Sequence, residues 1–267
     1  MRWRTGTVAC GGETIYYEVT GDAGAPAVLL THGAGGSHAV WFQQVPALAA
    51  AGYRVVTWDC RGFGKSTFDS GVHGCDAAVA DVTTVLDTVG IDRTHLVGQS
   101  MGGWWVTAFT LAHPERVSSL TLTNTVGGLW TDELFAHFGN LGRPPASDEV
   151  SVGEHPAISP AFVERDPARA FLYQELNTFH NPPMAAVMTS LVGSRFDHAQ
   201  LNACAVPTLV ISSSDDQLFP PHLVADSARR LEHASYVEIP GSGHAAYFER
   251  PDEYNAALLD FLGKHSQ

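Results

Sequence analysis

The chain has 267 residues, 45% hydrophobic and 16% charged, with 15 Lys+Arg against 28 Asp+Glu for a formal net charge of −13 at pH 7. Such a composition buries a sizeable core and argues against a disordered chain. The scattered cationic residues offer no concentrated basic surface, so neither nucleic acid nor an anionic membrane is an expected partner. Met1-Arg2-Trp3-Arg4 leads into polar and β-type residues without the apolar stretch of a secretory signal. No segment approaches the ~20 unbroken apolar residues of a membrane helix. A cytoplasmic protein is expected, built as a single domain with an insertion. Cys10, Cys60, Cys75 and Cys204 lie far apart without a Cys-x-x-Cys pair and are expected to be free thiols rather than zinc or redox ligands.

In chain order, Gly6 to Cys10 and Thr14 to Val19 read as two strands of a hairpin turning at Gly11-Gly12. Ala27 to Thr31 is an apolar run too short for a helix, a buried strand that ends at the flexible loop His32-Gly33-Ala34-Gly35-Gly36. Trp41 to Ala51 carries a helical pattern stopped by Gly52, and Tyr53 to Trp58 is another strand. Asp76 to Val89 places Val79, Val82, Val85, Leu86 and Val89 on one helical face and stops at Gly90. Thr94 to Gln99 is a strand, Met101 to His113 a helix and Val117 to Asn124 a strand. This alternation predicts an α/β fold with a mostly parallel sheet covered by helices on both faces.

The rhythm breaks between Gly127 and Ala205, where Trp130, Phe135, Phe138, Phe162, Phe171, Tyr173 and Phe179 accompany prolines and helical stretches without a buried strand. Residues 127–205 read as an inserted cap, leaving 1–126 and 206–267 as the core. Alternation resumes with Thr208 to Ser212, a helix near His222 to Leu231, a strand at Ser235 to Ile239 and a closing helix from Pro251 to about Gly263.

Gly98-Gln99-Ser100-Met101-Gly102 is a Gly-x-Ser-x-Gly motif lying directly after a strand and before a helix. That sharp turn exposes the Ser100 hydroxyl at the carboxyl edge of the sheet, and the helix N-terminus behind it favours developing negative charge. A serine hydroxyl needs a base to take its proton, and the base needs an orienting acid. Asp215 and Asp216 follow the strand at Thr208, and His244 follows the last strand in the Gly-rich loop Pro240-Gly241-Ser242-Gly243-His244. The chain order is therefore serine, acid, histidine. The loop after Ala27 to Thr31 places the Ala34 N–H where it could share a tetrahedral oxyanion with the Met101 N–H. The His32 ring reads as a pin for this loop, while His38 and Trp41 are candidates to reach the pocket.

The sequence resembles the α/β-hydrolase-fold family with a cap, over nearly the whole chain outside the cap. The resemblance is carried by His32-Gly33, Asp59-Cys60-Arg61-Gly62-Phe63-Gly64-Lys65-Ser66, Gly98 to Gly103, Asp216-Gln217-Leu218-Phe219-Pro220 and Gly243-His244. It implies a triad of Ser100, Asp216 and His244. Asp216 is selected over Asp215 by the proline that follows it with three residues intervening, as in the family. The Asp59 to Ser66 stretch is implied to be a structural turn. Haloalkane dehalogenases and epoxide hydrolases of this family carry Asp at the nucleophile position, so Ser100 argues against their reactions. Carboxylesterases, enol-lactonases, C–C hydrolases of ring-fission products and cofactor-independent haloperoxidases remain.

The aromatic cap suggests a small to medium, largely apolar substrate, with Trp104, Trp130, Phe135 and Phe138 among its contacts. The C–C hydrolases often have an aromatic residue after the catalytic histidine and a cap arginine for the acid. Here Ala245 follows His244, while Arg165, Arg169 and Arg195 are available but unaligned. Hydrolysis of an ester or lactone through an acyl-enzyme is therefore the first expectation, with neither metal nor organic cofactor. C–C cleavage of a vinylogous diketone is the second, and a ligand-binding receptor of the same fold with little turnover is the third.

Overall fold

The computed structural model describes residues 2–140 and 151–266. Part of the predicted cap, 141–150, thus lies outside the described residues. An eight-stranded sheet runs through the centre in the order β1-β2-β4-β3-β5-β6-β7-β8. The strands are β1 (Trp3–Cys10), β2 (Glu13–Thr20), β3 (Ala27–Thr31), β4 (Arg54–Trp58), β5 (Thr94–Gln99), β6 (Val117–Thr123), β7 (Thr208–Ser213) and β8 (Ala234–Ile239). β2 pairs antiparallel with β1 and β4, whereas the neighbours from β4 to β8 are all parallel. The predicted α/β class and mostly parallel sheet are present.

Strand side chains alternate between two cores. Leu29, Val56, Leu96 and Val210 enter one, while Val28, Leu30, Val55, Val97, Leu209 and Ile211 enter the other. A parallel strand buried on both faces needs this near-continuous apolar run. Helices α2 (Cys75–Val89), α3 (Met101–Ala112) and α9 (Pro221–Ala228) cover the first face, and α1 (Gln44–Ala50) and α11 (Pro251–Lys264) the second. The helix predicted from Trp41 is shorter: a 3-10 turn at His38–Trp41 precedes α1. Trp41 faces the second core, so its apolar signal belongs to packing rather than to a continuous helix. A short α10 (Ala246–Glu249), absent from the sequence reading, links the β8 loop to α11.

Between β6 and β7 the described residues form α4 (Asp132–Gly139), α5 (Pro160–Arg165), α6 (Pro167–Leu176), α7 (Met184–Gly193) and α8 (His198–Cys204), with no strand. Leu134, Val187, Leu191 and Leu201 join the first core, whereas Ala157, Ile158, Phe162, Ala170 and Tyr173 join the second. The insertion is therefore packed on both halves of the body. Among the described residues no helix is long and apolar enough to cross a membrane.

The turn after β4 is fixed by buried charge. Asp59 accepts the backbone N–H of His38 at 2.6 Å and of Lys65 at 2.8 Å, and Arg61 grips Asp81 of α2 through two bonds of 3.1 and 2.7 Å. Nearby, Glu13 collects the Thr67 hydroxyl and the N–H groups of Asp69 and Ser70. Burial alone would raise the Glu13 pKa, but these bonds outweigh it and hold the carboxyl at about 2, against an ordinary 4.5. A depressed carboxylate adds stability that is present above its unfolded pKa and lost as pH falls toward the folded one. Glu13→Gln should therefore lower the melting temperature at neutral pH and flatten its decline between about pH 4.5 and 2. Thermal denaturation across that range is the measurement, and an unchanged slope would remove Glu13 from the acid response.

Candidate active site

β5 delivers Ser100 into a strained turn with φ 49° and ψ −119°, a conformation costing about 1–3 kcal/mol for a residue with a Cβ. The turn is held by the Ser100 N–H on the Thr123 carbonyl at 3.0 Å and the Gly103 N–H on the Ser100 carbonyl at 2.9 Å. Close approach explains the flanking glycines. A methyl group on Gly102 would fall 2.4 Å from the Thr31 carbonyl oxygen, and one on Gly98 would fall 2.5 Å from that of Gly102. Met101 opens α3, so its N–H precedes the intrahelical ladder and lies at the positive end of the helix dipole. Among the described residues neither the Ala34 nor the Met101 N–H is taken by a protein acceptor.

At the end of β7, Asp216 is buried whereas Asp215 is exposed and accepts the neighbouring Ser214 hydroxyl. Asp216 Oδ1 accepts the N–H groups of Leu218 and Phe219, each at 2.9 Å. Its Oδ2 accepts Asn124 Nδ2 at 3.0 Å and faces His244 Nδ1 at 2.9 Å. An Nδ1–H donated to the carboxylate leaves Nε2 as the basic nitrogen. Gln99 Nε2 donates to the His244 carbonyl at 3.1 Å, tying the histidine loop to the residue beside Ser100. Phe219 stacks on the imidazole at 5.6 Å and 17°.

Two of these partners escaped the sequence reading. Asn124 closes β6 with φ 50° and bonds both Ser213 and Asp216; its position one residue past a parallel strand was the available signal. Glu249, on α10, is buried and accepts the N–H of Gly243 at 2.9 Å, the N–H of Ser159 at 3.1 Å and the Ser159 hydroxyl at 2.6 Å. Burial lifts its carboxyl above the ordinary range despite these bonds. A glutamate inside an otherwise buried run, Ala245 to Phe248, was its only mark in the sequence.

The other candidates divide. His32 donates Nδ1–H to the Gly33 carbonyl at 2.7 Å and accepts the Cys60 N–H at Nε2, so its ring pins the loop. His38 and Trp41 find partners within the protein. The His38 ring is held by Asp59 at 2.8 Å and Glu18 at 3.3 Å, and Trp41 is fully buried against Tyr247. Polar anchoring accounts for one ring and core packing for the other. Trp104 is also buried, its indole N–H shared between the carbonyls of Leu191 and Ser194. It meets Trp130 at 5.5 Å, and Trp130 meets Phe135 at 5.4 Å and Phe138 at 5.3 Å. Phe138 in turn touches Phe219 at 5.6 Å. These aromatics form one wall that reaches the ring stacked on His244. Among the described residues no group of three or more His, Cys, Asp or Glu side chains could hold a metal ion.

A profile of the alpha/beta hydrolase fold matches residues 26–251. The chain is 34% identical over 264 residues to a protein of Variovorax paradoxus named as a carbamate hydrolase, RutD, covering 94% of this chain and 97% of that one. It is 33% identical over 285 residues to a 2-hydroxy-6-oxononadienedioate/2-hydroxy-6-oxononatrienedioate hydrolase of Paraburkholderia phymatum, covering 94% and 91%. Among solved structures it is similar to the enol-lactonase of Burkholderia xenovorans LB400, with a TM-score of 0.81, 25% identity and coverage of 97% and 100%. With the serine turn, the buried Asp216 and the histidine loop all on the carboxyl edge of one sheet, the chain belongs to the α/β-hydrolase fold family and is a hydrolase.

Proposed function

We propose that the protein is a serine hydrolase that cleaves a small to medium, largely apolar carboxylic ester or lactone through an acyl-enzyme. The observation that carries this reading is the Asp216–His244 bond of 2.9 Å, tied through Gln99 to the strained turn of Ser100. His244, oriented by Asp216, removes the Ser100 proton as the oxygen attacks the carbonyl carbon. The N–H groups of Ala34 and Met101 hold the oxyanion. His244 then protonates the leaving alcohol, and water attacks the acyl-enzyme by the same route. No metal or organic cofactor enters these steps. The substrate is the only partner required, and a cytoplasmic location fits such an enzyme.

The helices of 127–205 act as the cap. They touch the histidine loop on two sides, through the aromatic wall to Phe219 and through Ser159 to Glu249. The relatives named for a carbamate and for a ring-fission acid bound the substrate class. A carbamate carbonyl would pass through the same acyl chemistry. An acidic ring-fission product needs a cationic partner, but Arg165 donates to the Glu249 carbonyl at 3.3 Å and Arg169 to the Phe248 carbonyl. Arg195 lies exposed over the Phe135 ring. Among the described residues that disposition of the cap arginines supports the neutral ester or lactone over C–C cleavage; Arg143 lies outside them.

Steady-state assays on p-nitrophenyl butyrate, an aryl lactone and a vinylogous diketone test the reading. Ester or lactone turnover should fall by about a thousandfold or more in Ser100→Ala. Asp216→Asn should cost about as much, while Asp215→Asn should retain most activity. Loss of the diketone chromophore with silence on esters would place the protein among the C–C hydrolases instead, and slow turnover with ligand-induced thermal stabilisation would favour a receptor.

Glu249 gives a separate test of the lid. Glu249→Leu strands two buried N–H groups, each worth about 1–3 kcal/mol, and should lower both stability and kcat. Glu249→Gln keeps the Oε1 acceptor for Gly243 and Ser159, so it should restore most of both. Because the carboxyl pKa is raised, its contribution is complete below about pH 4.5 and declines as pH rises through the folded value. The Gln variant should lack that decline in a pH series of urea denaturation; a Leu variant as stable as wild type would discard this role.

A further inference from the structure

The carboxyl ends of β6 and β7 are laced together at Asn124. Its N–H donates to the Ile211 carbonyl of β7 at 2.7 Å, and its φ of 50° turns the chain out of the strand. Asparagine tolerates this left-handed conformation better than most residues with a Cβ. The turn sets the buried amide against the end of β7. One Nδ2 proton goes to the Ser213 hydroxyl oxygen at 2.8 Å and the other to Asp216 Oδ2 at 3.0 Å. The carboxylate fixes which end of the amide faces it, since an amide oxygen turned that way would meet a second oxygen with no proton between them.

Oδ2 is also the oxygen that faces His244 Nδ1 at 2.9 Å, whereas Oδ1 takes the N–H groups of Leu218 and Phe219. The amide and the imidazole therefore share one oxygen. In acyl transfer the imidazole must take a proton from serine and surrender it to the leaving group. A carboxylate oxygen that answers to the imidazole alone pulls harder on an added proton, and so turns the base into its inactive protonated form at higher pH. The partial positive charge of an amide N–H on the same oxygen opposes that pull. Whether the added proton settles on nitrogen or on oxygen within the pair, the amide disfavours its uptake.

We propose that Asn124 is a positioning residue for the base: through the Asp216 oxygen it shares with His244, it keeps the imidazole unprotonated, and so able to accept the serine proton, into mildly acidic solution. The inference rests on the acyl-transfer reading of the same site. Among the described residues the other titratable groups about the pair are Asp215 in the same turn, His137 of α4 on the Gln217 carbonyl, Glu249 of α10 on the Gly243 N–H, Arg250 on the Gly241 carbonyl, Tyr254 of α11 against the Thr123 hydroxyl, and His155 ahead of Ile158 and Ser159 beside Gly243. All of them are common to wild type and variants, so a difference between the two reads the amide.

Asn124→Gly keeps the left-handed turn and removes the amide, and Asn124→Ala removes it at some cost in backbone strain. On p-nitrophenyl butyrate the acidic limb of kcat/KM against pH should move up by roughly half to one unit in both, while the plateau above it stays within about fivefold of wild type. A residue that only braced the strand ends would do the reverse, lowering the plateau and leaving the limb in place. Ser213→Ala supplies the comparison: it removes the amide's other acceptor and keeps the bond to Asp216, so its limb should stay within about 0.2 unit of wild type. A second readout needs no substrate. The isotope-labelled His244 imidazole, recognised by the signals missing from His244→Gln, should titrate at correspondingly higher pH in Asn124→Gly than in wild type. An unmoved limb or titration, or an equal displacement in Ser213→Ala, would overturn the inference and leave ester hydrolysis intact. Silence of wild type on every ester, with the titration displaced in Asn124→Gly, would overturn the ester reading and leave the role of Asn124 standing.

Discussion

A carboxylate taken out of water is tolerated only when its lone pairs are filled, and Asp216 is buried with four donors directed at it. Two come from its own turn, one from the end of β6 and one from the loop after β8. The carboxylate can therefore be satisfied only when β6, β7 and β8 have paired in register and their carboxyl ends are level. That register is the parallel one seen, with Thr123 opposite Ile211 and Ile211 opposite Val237. The turn at Ser100 is bound to the same edge by its N–H on Thr123. Serine, asparagine, aspartate and histidine are thus brought into one neighbourhood by sheet pairing, and strain at Ser100 and Asn124 is held in place by the bonds that pairing makes possible.

The helical insertion is not an independent lid laid over this edge. Ser159 shares Glu249 with Gly243, so the insertion and the histidine loop compete for, and jointly satisfy, one buried carboxyl. On the other side, Trp130 and Phe138 meet Phe219, whose ring stacks on the imidazole. A displacement of the insertion would leave polar groups orphaned on one flank and open aromatic contacts on the other. The position of these helices and the alignment of the histidine loop are therefore coupled by contacts already within bonding distance.

The sheet was legible because a parallel strand covered on both faces is largely apolar, a demand that Ala27 to Thr31 shows most clearly. The Gly-x-Ser-x-Gly turn was legible for steric reasons: no larger residue fits where Gly102 meets the Thr31 carbonyl. His38 and Trp41 are ambiguous in the sequence because a polar ring near a loop and an indole near a pocket look alike whether they face substrate or protein. Only the partners, Asp59 and Glu18 for one and Tyr247 for the other, decide. The roles of Asn124 and Glu249 were harder to read for the opposite reason. Each acts on groups distant in sequence, 92 residues away at Asp216 and 90 at Ser159, and one chain carries no signal of such pairing.

The division of labour between body and insertion follows from what each is made of. On the acyl-transfer reading proposed above, the triad is set by backbone geometry at strand ends, so it does not by itself distinguish an ester from a carbamate or a ring-fission ketone. Discrimination then falls to the helices between β6 and β7. There Arg165 donates to the Glu249 carbonyl and Arg169 to the Phe248 carbonyl, so one nitrogen of each guanidinium ties α5 and α6 to α10. On that reading, recognition of a largely apolar substrate rests on the aromatic side chains of the same helices, because burying apolar area is non-directional and tolerates a range of acyl and alcohol groups.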